Sequence, residues 1–298
     1  MTYAIAAEIY LAGEKEVGAK DIGSKERHLR LHLVPYFGQM RIGRITTFTV
    51  EKFRNEMLRH GSTLGNVNRV LATYRHMGHR LAARNKIPDP LPMIRLKHED
   101  NRRKRVLDHE EEAALLSASL EDSNSYSWLF VKIGLSTSLR HSEILSARFD
   151  GLDPRRRRLR VWVKGGRWRD QPLSKELTDV LCREREGAQD QDGWLFPNPA
   201  SASGHIESMK TAFRRCVTAA DLSPSEVVPH TMRHSAISNL AATGADVRTI
   251  QEFSGHLSLA MVMRYTHARD ERVDQAIEKM ERAKTKEEQI ALPGAQDS

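Results

Sequence analysis

Residues 230–267 read HTMRHSAISNLAATGADVRTIQEFSGHLSLAMVMRYTH, and this stretch decides how the rest of the chain is interpreted. Apolar residues recur at helical spacing through Met232–Thr243 and Val247–Phe253, which predicts two helices. Polar side chains of unusual type lie on and beside them in this order: His230, Arg233, His234, His256 and Tyr265. Their concentration makes this stretch a candidate functional site.

Two earlier segments also carry unusual polar residues. Leu139–Glu143 reads LRHSE and runs into a predicted short helix, Ser142–Ala147. In Leu159–Lys164 apolar and polar residues alternate, and this period of two marks a strand. Gly165-Gly166 predicts a hairpin turn after Lys164, with a second strand through Trp168–Leu173.

Each of these segments, taken singly, has an ordinary structural explanation. Arg140 and Glu143 stand three residues apart, which is most often a local ion pair on a helix. A lysine before a Gly-Gly turn is most often solvated, and a lone tyrosine near a helix more often packs than reacts. His230 and His234 have the spacing of two zinc ligands, but Thr231 stands where that motif needs a glutamate and no third ligand is obvious.

Composition limits the class of protein. The chain has 298 residues, enough for two hydrophobic cores, and it is 39% hydrophobic and 29% charged. No stretch approaches the ~20 apolar residues of a membrane helix. Met1–Tyr10 carries Glu8 and no basic cluster, unlike a secretory signal. Cys182 and Cys216 suggest neither a disulfide framework nor a metal site, so we expect a cytoplasmic protein.

The charge balance favours a phosphate-bearing partner. The formal net charge is +8 and the pI is near 9.6. A basic but merely solvated surface would give the same totals, so the position of the charges matters. The basic residues form two runs: Arg102, Arg103, Lys104 and Arg105, then Arg155, Arg156, Arg157, Arg158, Arg160, Lys164, Arg167 and Arg169. Such clusters are typical of nucleic-acid patches. By contrast, Gly13–Lys20 lacks the order of a phosphate loop, so ATP binding has no support.

Residues 1–96 are predicted to form a helical domain of about four helices. Apolar residues recur at helical spacing around Ile22–Phe37 and Thr49–Arg59. The clearest stripe is Leu64, Val67, Leu71, Tyr74, Met77 and Leu81. Its opposite face is basic, and we take Arg69, Arg75 and Arg80 as candidate DNA contacts. Pro88, Pro90 and Pro92 end the helical pattern.

Residues 97–105 are polar and basic, and we predict an interdomain linker that could also lie along a DNA backbone. A second domain, 106–298, begins with a helix opened by Asp108 and three acidic residues, which the helix dipole favours. It continues with a very apolar helix around Trp128–Leu135, the hairpin, and predicted helices at Lys175–Glu186 and Ile206–Ala220. A last helical segment, beginning at Asp270, would form a C-terminal tail.

Taken together, the motifs resemble the tyrosine recombinase (phage integrase) family, in order as well as in content. That family has an arginine, a lysine, a His-x-x-Arg pair, a Gly-His pair and a tyrosine about nine residues later. The matching residues are Arg140, Lys164, His230, Arg233, His256 and Tyr265. The chain departs from common family residues at Ser138, Met232, Phe253-Ser254 and Val262, none of which is a catalytic group.

The resemblance implies a mainly α fold with a small antiparallel β-sheet: a helical N-terminal DNA-binding domain and an α+β catalytic domain. It also implies a role for each residue. Tyr265 would be the nucleophile, His230 its base, and Lys164 the acid for the leaving 5′-hydroxyl. Arg140 and Arg233 would grip the phosphate oxygens, His256 would add a donor, and Glu143 would orient its neighbours. Arg167 joins Arg69, Arg75, Arg80 and Arg102–Arg105 as a predicted DNA contact.

The implied activity is site-specific cleavage and rejoining of duplex DNA through a 3′-phosphotyrosine, with no metal, ATP or other cofactor. The two domains would clamp double-stranded DNA recombination sites, and the protein would act as a tetramer on DNA, with room for accessory DNA-bending proteins. Gly255–His267 resembles mobile-element integrases more than the Xer type. Two alternatives stay open: a type IB topoisomerase that relaxes DNA, and a catalytically silent DNA-binding factor.

Overall fold

The computed structural model describes residues 1–88, 90–97, 105–163, 165–265 and 280. The chain divides into two compact units, Met1–Arg102 and Arg103–Ser298. Each unit has its own cluster of buried apolar side chains.

The first unit is helical throughout its regular structure. Its elements are α1 (Tyr3–Glu16), α2 (Ile22–His28), a π-helical turn (Leu29–Leu33), α3 (Val34–Phe37), a 3₁₀ turn (Ile42–Arg44), α4 (Thr47–Arg59) and α5 (Leu64–Ala83). The segment Ile22–Phe37, predicted to be helical, consists of three consecutive helical pieces, with the π-helical turn between α2 and α3.

The longest described helix of this unit, α5, begins where a threonine caps it. The Thr63 hydroxyl oxygen accepts the backbone N–H of Asn66 at 3.3 Å. The predicted apolar stripe is buried from Val67 onward, and it forms much of the core of this unit. One face of α5 is therefore buried in the core and the basic face is directed to solvent, as the spacing predicted.

The second unit combines helices with one small sheet. Its elements are α6 (His109–Leu120), α7 (Ser127–Ser136), α8 (His141–Leu145), a 3₁₀ turn (Phe149–Gly151), β1 (Leu152–Asp153), β2 (Arg158–Val163), β3 (Arg167–Pro172), α9 (Lys175–Gly187), α10 (Lys210–Ala219), α11 (Pro229–Ala242), α12 (Val247–Ser254), α13 (Leu259–Val262) and a 3₁₀ turn (Met263–Tyr265).

The sheet is antiparallel, in the order β1-β2-β3. The predicted hairpin is confirmed, with Trp162 opposite Trp168 and Val163 opposite Arg167. Along β2 the apolar residues are buried and the intervening ones point outward, as the period of two predicted. The two-residue strand β1 was not predicted, because its pairing with β2 leaves no pattern in so short a segment.

Helix starts in this unit follow from local hydrogen bonds. At α6 the Asp108 carboxylate accepts the Glu111 N–H at 2.9 Å, and the Glu111 carboxylate accepts the Asp108 N–H at 3.1 Å. Helix α11 begins before the predicted Met232, since Pro229 suits the first helical position. Helix α10 begins after the predicted Ile206, because the Ile206 N–H pairs with the Phe196 carbonyl instead.

A third apolar cluster holds the end of the described chain against α11. Ile237, Ala241, Ile250 and Val262 are all buried in it. Tyr265 packs on the same cluster. The 3₁₀ turn that carries Tyr265 is thereby fixed next to α11. Among the described helices, none is long and apolar enough to cross a membrane.

Candidate active site

Helix α11 carries three of the candidate site residues in its first turns. Its N-terminus is closed by the Thr231 hydroxyl, which accepts the Val228 N–H at 3.1 Å. His230, Arg233 and His234 follow each other at the spacing of three and four that brings helical side chains to one side. A single helix thus delivers one guanidinium and two imidazoles to the same place.

Arg233 is the most deeply buried of these groups, with 2% of its surface exposed. It donates through Nη1 to the Ser138 carbonyl and through Nη2 to the Ser254 carbonyl at 2.8 Å. Its Nη2 also lies 3.3 Å from His256 Nε2. Burial, followed by the charge of Arg140, lowers the pKa of Arg233 to about 10, so it remains a cation at neutral pH.

A buried guanidinium held by neutral carbonyls is costly unless an anion completes its environment. Arg233 therefore indicates a site built to receive a negatively charged group.

Arg140 and Glu143 form the second part of the site, at the N-terminus of α8. The Glu143 carboxylate is 2% exposed; its Oε1 accepts Arg140 Nη1 at 2.7 Å and its Oε2 accepts the Arg140 backbone N–H at 3.0 Å. Burial raises the pKa of Glu143, but these two hydrogen bonds outweigh it and hold the pKa below its usual value. Glu143 is therefore an anion held against Arg140 by two hydrogen bonds.

Arg169 is a third cation at this site, and sequence reasoning counted it only within a basic run. Its Nη2 donates to the Ser138 hydroxyl at 3.3 Å and to Gln171 Oε1. Burial lowers the pKa of Arg169. A signal was present in the sequence, because the period of two along β3 puts Arg169 on the same inward face as buried Gln171.

Ser138, a departure from the common family residue, joins these parts. It is fully buried, and its hydroxyl lies 3.0 Å from Gln171 Oε1 and within hydrogen-bonding distance of the Phe253 carbonyl. Its own carbonyl accepts from Arg233. Ser138, in the segment between α7 and α8, thus contacts β3, α11 and α12 at once, which sequence inspection could not reveal.

Gly255 is required by geometry at the end of α12. It has φ of +64°, a left-handed conformation that favours glycine, and a Cβ there would fall on the Arg169 guanidinium. The next residue, His256, has its carbonyl held by Gln251 Nε2 at 3.1 Å. The Gly-His pair is therefore a tight turn that aims His256 at Arg233.

Tyr265 reaches the same group of side chains from the 3₁₀ turn. Its ring is stacked on His256 with centroids 5.9 Å apart. Its hydroxyl lies 2.7 Å from His234 Nδ1. In the sequence His234 is one of the unusual polar residues and half of a disfavoured zinc-ligand pair, and the structure brings it to the candidate nucleophile.

His230, the predicted base, lies one helical turn before His234. The two rings make an edge contact with centroids 4.5 Å apart. Burial, and then the charges of Arg233 and Arg140, lower the pKa of His230 below its usual value. His230 is thus a neutral imidazole at neutral pH, close to the two arginines.

The remaining predicted site residues fall into three groups. Lys164, Arg102, Arg103 and Lys104 lie outside the described residues, as does the tail helix predicted from Asp270 apart from Met280. Arg69, Arg75 and Arg167 are exposed. Arg80 and Arg105 make internal ion pairs, with Glu14 at 2.9 Å and with Glu111. Within the described part of the chain, no three His, Cys, Asp or Glu side chains converge as a metal site.

The chain belongs to the phage integrase family, whose model matches residues 105–272. The model of the phage integrase N-terminal SAM-like domain matches residues 7–58. The predicted family is thereby confirmed, and with it the predicted fold class of a helical N-terminal domain and a catalytic domain with a small antiparallel sheet.

Curated relatives include Xer recombinases. Tyrosine recombinase XerD of Brucella suis is 34% identical over 149 residues, which is 48% of each chain. Tyrosine recombinase XerC of Mycobacterium bovis is 32% identical over 155 residues, 47% of this chain and 48% of the relative. The chain spans about half the length of the curated relatives it matches.

Solved structures share the fold over nearly the whole chain. The Tn1549 transposon integrase in complex with a circular intermediate DNA has a TM-score of 0.74 at 18% identity, covering 94% of this chain and 99% of that one. The lambda integrase dimer bound to a core site has a TM-score of 0.71 at 17% identity, covering 91% and 97%. At identities this low, the structural similarity establishes a common fold and nothing more.

Proposed function

We propose that this protein is a site-specific DNA recombinase that cleaves and rejoins duplex DNA through a 3′-phosphotyrosine at Tyr265. The observation that carries the proposal is the position of the Tyr265 hydroxyl, 2.7 Å from the His234 imidazole. Tyr265 also stacks on His256, which lies 3.3 Å from buried Arg233, a cation that suits an anion such as a phosphodiester. A phenol, a proton acceptor and a phosphate site therefore meet at one place.

The phosphate would lie against Arg140, Arg233 and His256. The guanidinium groups of Arg140, Arg233 and Arg169 carry three positive charges, against one negative charge on Glu143. The site therefore keeps an excess of positive charge. A phosphodiester concentrates negative charge in its pentacoordinate transition state, and donors fixed in advance stabilise that charge best. We propose that this cluster makes a metal ion and ATP unnecessary.

Tyr265 would attack the phosphorus, and its phenol must lose a proton because its ordinary pKa is ~10. The family resemblance gives the base role to His230. The leaving 5′-oxygen must gain a proton, and the resemblance gives that role to Lys164. The covalent 3′-phosphotyrosine keeps the energy of the broken bond, so rejoining needs no other energy source.

The proposed substrate is duplex DNA at recombination sites. A helical domain (1–96), a basic linker (97–105) and a catalytic domain (106–298) would bind it. A basic linker and the exposed Arg69, Arg75 and Arg167 would neutralise phosphates. Exchange between two sites requires four active subunits, so we propose a tetramer on DNA in the cytoplasm, with accessory DNA-bending proteins as further candidates. The mobile-element role stays a prediction.

The experiment uses a nicked suicide duplex and the full chain, in chelator and without ATP. Wild-type protein should form a covalent adduct that survives a denaturing gel, and it should transfer strands between two labelled duplexes. Tyr265→Phe should bind the duplex within about twofold of wild type and form no adduct. The matched control is Tyr126→Phe, another partly buried tyrosine of the second unit, which should react normally.

Several results would contradict the proposal. An adduct in Tyr265→Phe would move the nucleophile elsewhere, and a reaction that stops in chelator and returns with zinc or magnesium would restore the metal interpretation. Relaxation of supercoiled DNA without strand transfer would favour the topoisomerase alternative. Binding with no adduct from wild-type protein would favour the silent DNA-binding factor.

A further inference from the structure

The inference concerns the proton of Tyr265, and it rests on the proposed function. The Tyr265 hydroxyl and His234 Nδ1 are 2.7 Å apart, which is the distance of a short hydrogen bond between an O–H donor and an imidazole. The His234 tautomer with its proton on Nε2 lets Nδ1 accept from the phenol. In that state the hydroxyl proton already points at its acceptor.

The fold holds both partners of this hydrogen bond. His234 lies in the second turn of α11, whose Ile237 and Ala241 are buried in the small apolar cluster. Tyr265 packs on the same cluster, three residues after buried Val262. The two residues are 31 positions apart in sequence, yet one core fixes the distance between their reacting atoms.

His230 also contacts His234, and its surroundings suit a different task. Its ring contacts the His234 ring edge to face, with centroids 4.5 Å apart. It also lies within electrostatic range of Arg233 and Arg140, and their positive charges make protonation of His230 unfavourable. A neutral imidazole among phosphate-binding cations is suited to donate a hydrogen bond to the phosphate.

We propose that His234 is the residue that takes the proton from Tyr265, while His230 donates to a phosphate oxygen. In cleavage, the Tyr265 O–H proton moves to His234 Nδ1 as the bond from its oxygen to phosphorus forms and the bond from phosphorus to the 5′-oxygen breaks. The 5′-oxygen takes its proton from the acid, proposed as Lys164. In rejoining, the 5′-hydroxyl gives its proton back to Lys164 as its oxygen bonds to phosphorus. The bond from phosphorus to the Tyr265 oxygen breaks, and protonated His234 returns its proton to that oxygen.

Two substitutions of His234 separate proton transfer from positioning. His234→Ala removes the ring, whereas His234→Asn keeps a polar group near the place of Nδ1 that can hydrogen-bond but cannot serve as a base at these pH values. His230→Ala is measured in parallel, because it alters the neighbouring imidazole and leaves His234 in place. All variants are tested as full chains for melting temperature, DNA affinity and single-turnover adduct formation on the nicked duplex.

General acid–base catalysis typically contributes about 100-fold to 10,000-fold. We therefore expect both His234 variants to form the adduct at least ~100-fold more slowly than wild type at pH 7, with DNA affinity within about twofold. A 5′-thiol leaving group should not restore the adduct rate of either variant, because it removes the need for the general acid but not for the general base.

The pH profile supplies a readout that a structural role would not change. The described ionisable groups around the pair are His230, Arg233 and Arg140 near the phosphate side and His256 stacked on Tyr265. Wild-type rates should change little between pH 7 and 9, because the imidazole serves as the base. Rates of the His234 variants should instead rise about tenfold per pH unit over this range, since hydroxide must then remove the proton of a phenol, whose ordinary pKa is ~10.

The outcomes are distinct. A wild-type rate in His234→Ala would overturn the inference, as would a wild-type rate in His234→Asn, which would make His234 a positioning residue. A steep pH profile in His230→Ala with a flat one in His234→Asn would return the base role to His230. If wild-type protein forms no adduct at all, the proposed function itself fails and this inference fails with it.

Discussion

Glu143→Gln is the substitution that best separates an effect on catalysis from an effect on the stability of the fold. Glutamine has the shape of glutamate, and its single amide oxygen can still accept the Arg140 backbone N–H, now 3.0 Å from Glu143 Oε2. What it loses is the negative charge and the acceptor facing Arg140 Nη1 at 2.7 Å, because an amide nitrogen takes that place. The perturbation thus acts on a single charged contact of one arginine.

The expected cost follows from the burial of the two partners. A hydrogen bond to a charged group contributes roughly 1.5–3 kcal/mol, and the substitution removes this one. Glu143 is 2% exposed, but the Arg140 side chain is 36% exposed, and solvent screening favours the lower half of that range. For a unit of this size, about 1 kcal/mol lowers the melting temperature by roughly 2–4 °C.

The loss should depend on pH in a defined direction. The folded-state pKa of Glu143 lies below its usual value, so its carboxylate stabilises the fold fully above the ordinary glutamate pKa of ~4.3. That contribution disappears as the pH falls through the lower folded-state value. The melting difference between wild type and Glu143→Gln should therefore be present at pH 7 and shrink as the pH falls below about 4.

The assay compares adduct rate with melting temperature, and Glu111→Gln is the matched control. Glu111 makes the same pair of contacts at the start of α6, with the Asp108 N–H and with Arg105, outside the candidate site. Both variants should lose a few degrees of stability. Only Glu143→Gln should slow adduct formation, by about 10-fold to 100-fold, because a loosened Arg140 misplaces a phosphate donor.

The reasoning would be refuted if Glu143→Gln melted lower but formed the adduct at the wild-type rate. Glu143 would then only cap α8, as Glu111 caps α6. An equal loss of rate in both variants would also contradict it, since the effect would then follow general stability.

Two other substitutions test parts of the site. Lys164→Ala should slow cleavage strongly on ordinary DNA and should recover on a duplex with a 5′-thiol leaving group, which needs no proton; equal slowness on both substrates would make Lys164 a positioning residue. Gly255→Ala should lower the free energy of unfolding by roughly 1–2 kcal/mol through backbone strain, and so lower the melting temperature. It should also slow adduct formation, because the added Cβ displaces Arg169. Gly244→Ala carries similar strain at φ of +87° with open space around its Cβ, so it should melt lower and react normally; matching rates for the two variants would count against a role for Arg169.

Much of the fold could be predicted because its information is local. The alternation through Leu159–Val163 specified β2, and the spacing from Val67 to Leu81 specified the buried face of α5. Asp108 followed by Glu111 specified the start of α6. In each case the pattern repeats within a few residues, and burial of one face is the physical cause.

Other features could not be predicted because they depend on contacts between distant segments. The hydrogen bond of His234 with Tyr265 and the position of Arg169 beside Gly255 arise only when α11, α12 and β3 pack together. Ser138 was judged a minor departure from the family pattern, yet its carbonyl and hydroxyl connect Arg233 and Arg169. Residue type indicated which groups could react, whereas packing decides which of them touch.

The identity of the residue bound to DNA tests the central claim most directly. Wild-type protein trapped on a suicide duplex is digested with protease and nuclease, and the peptide that retains a nucleotide is sequenced by mass spectrometry. The account predicts a nucleotide attached through its 3′-phosphate to Tyr265. Attachment through a 5′-phosphate, or at any other residue, would contradict it.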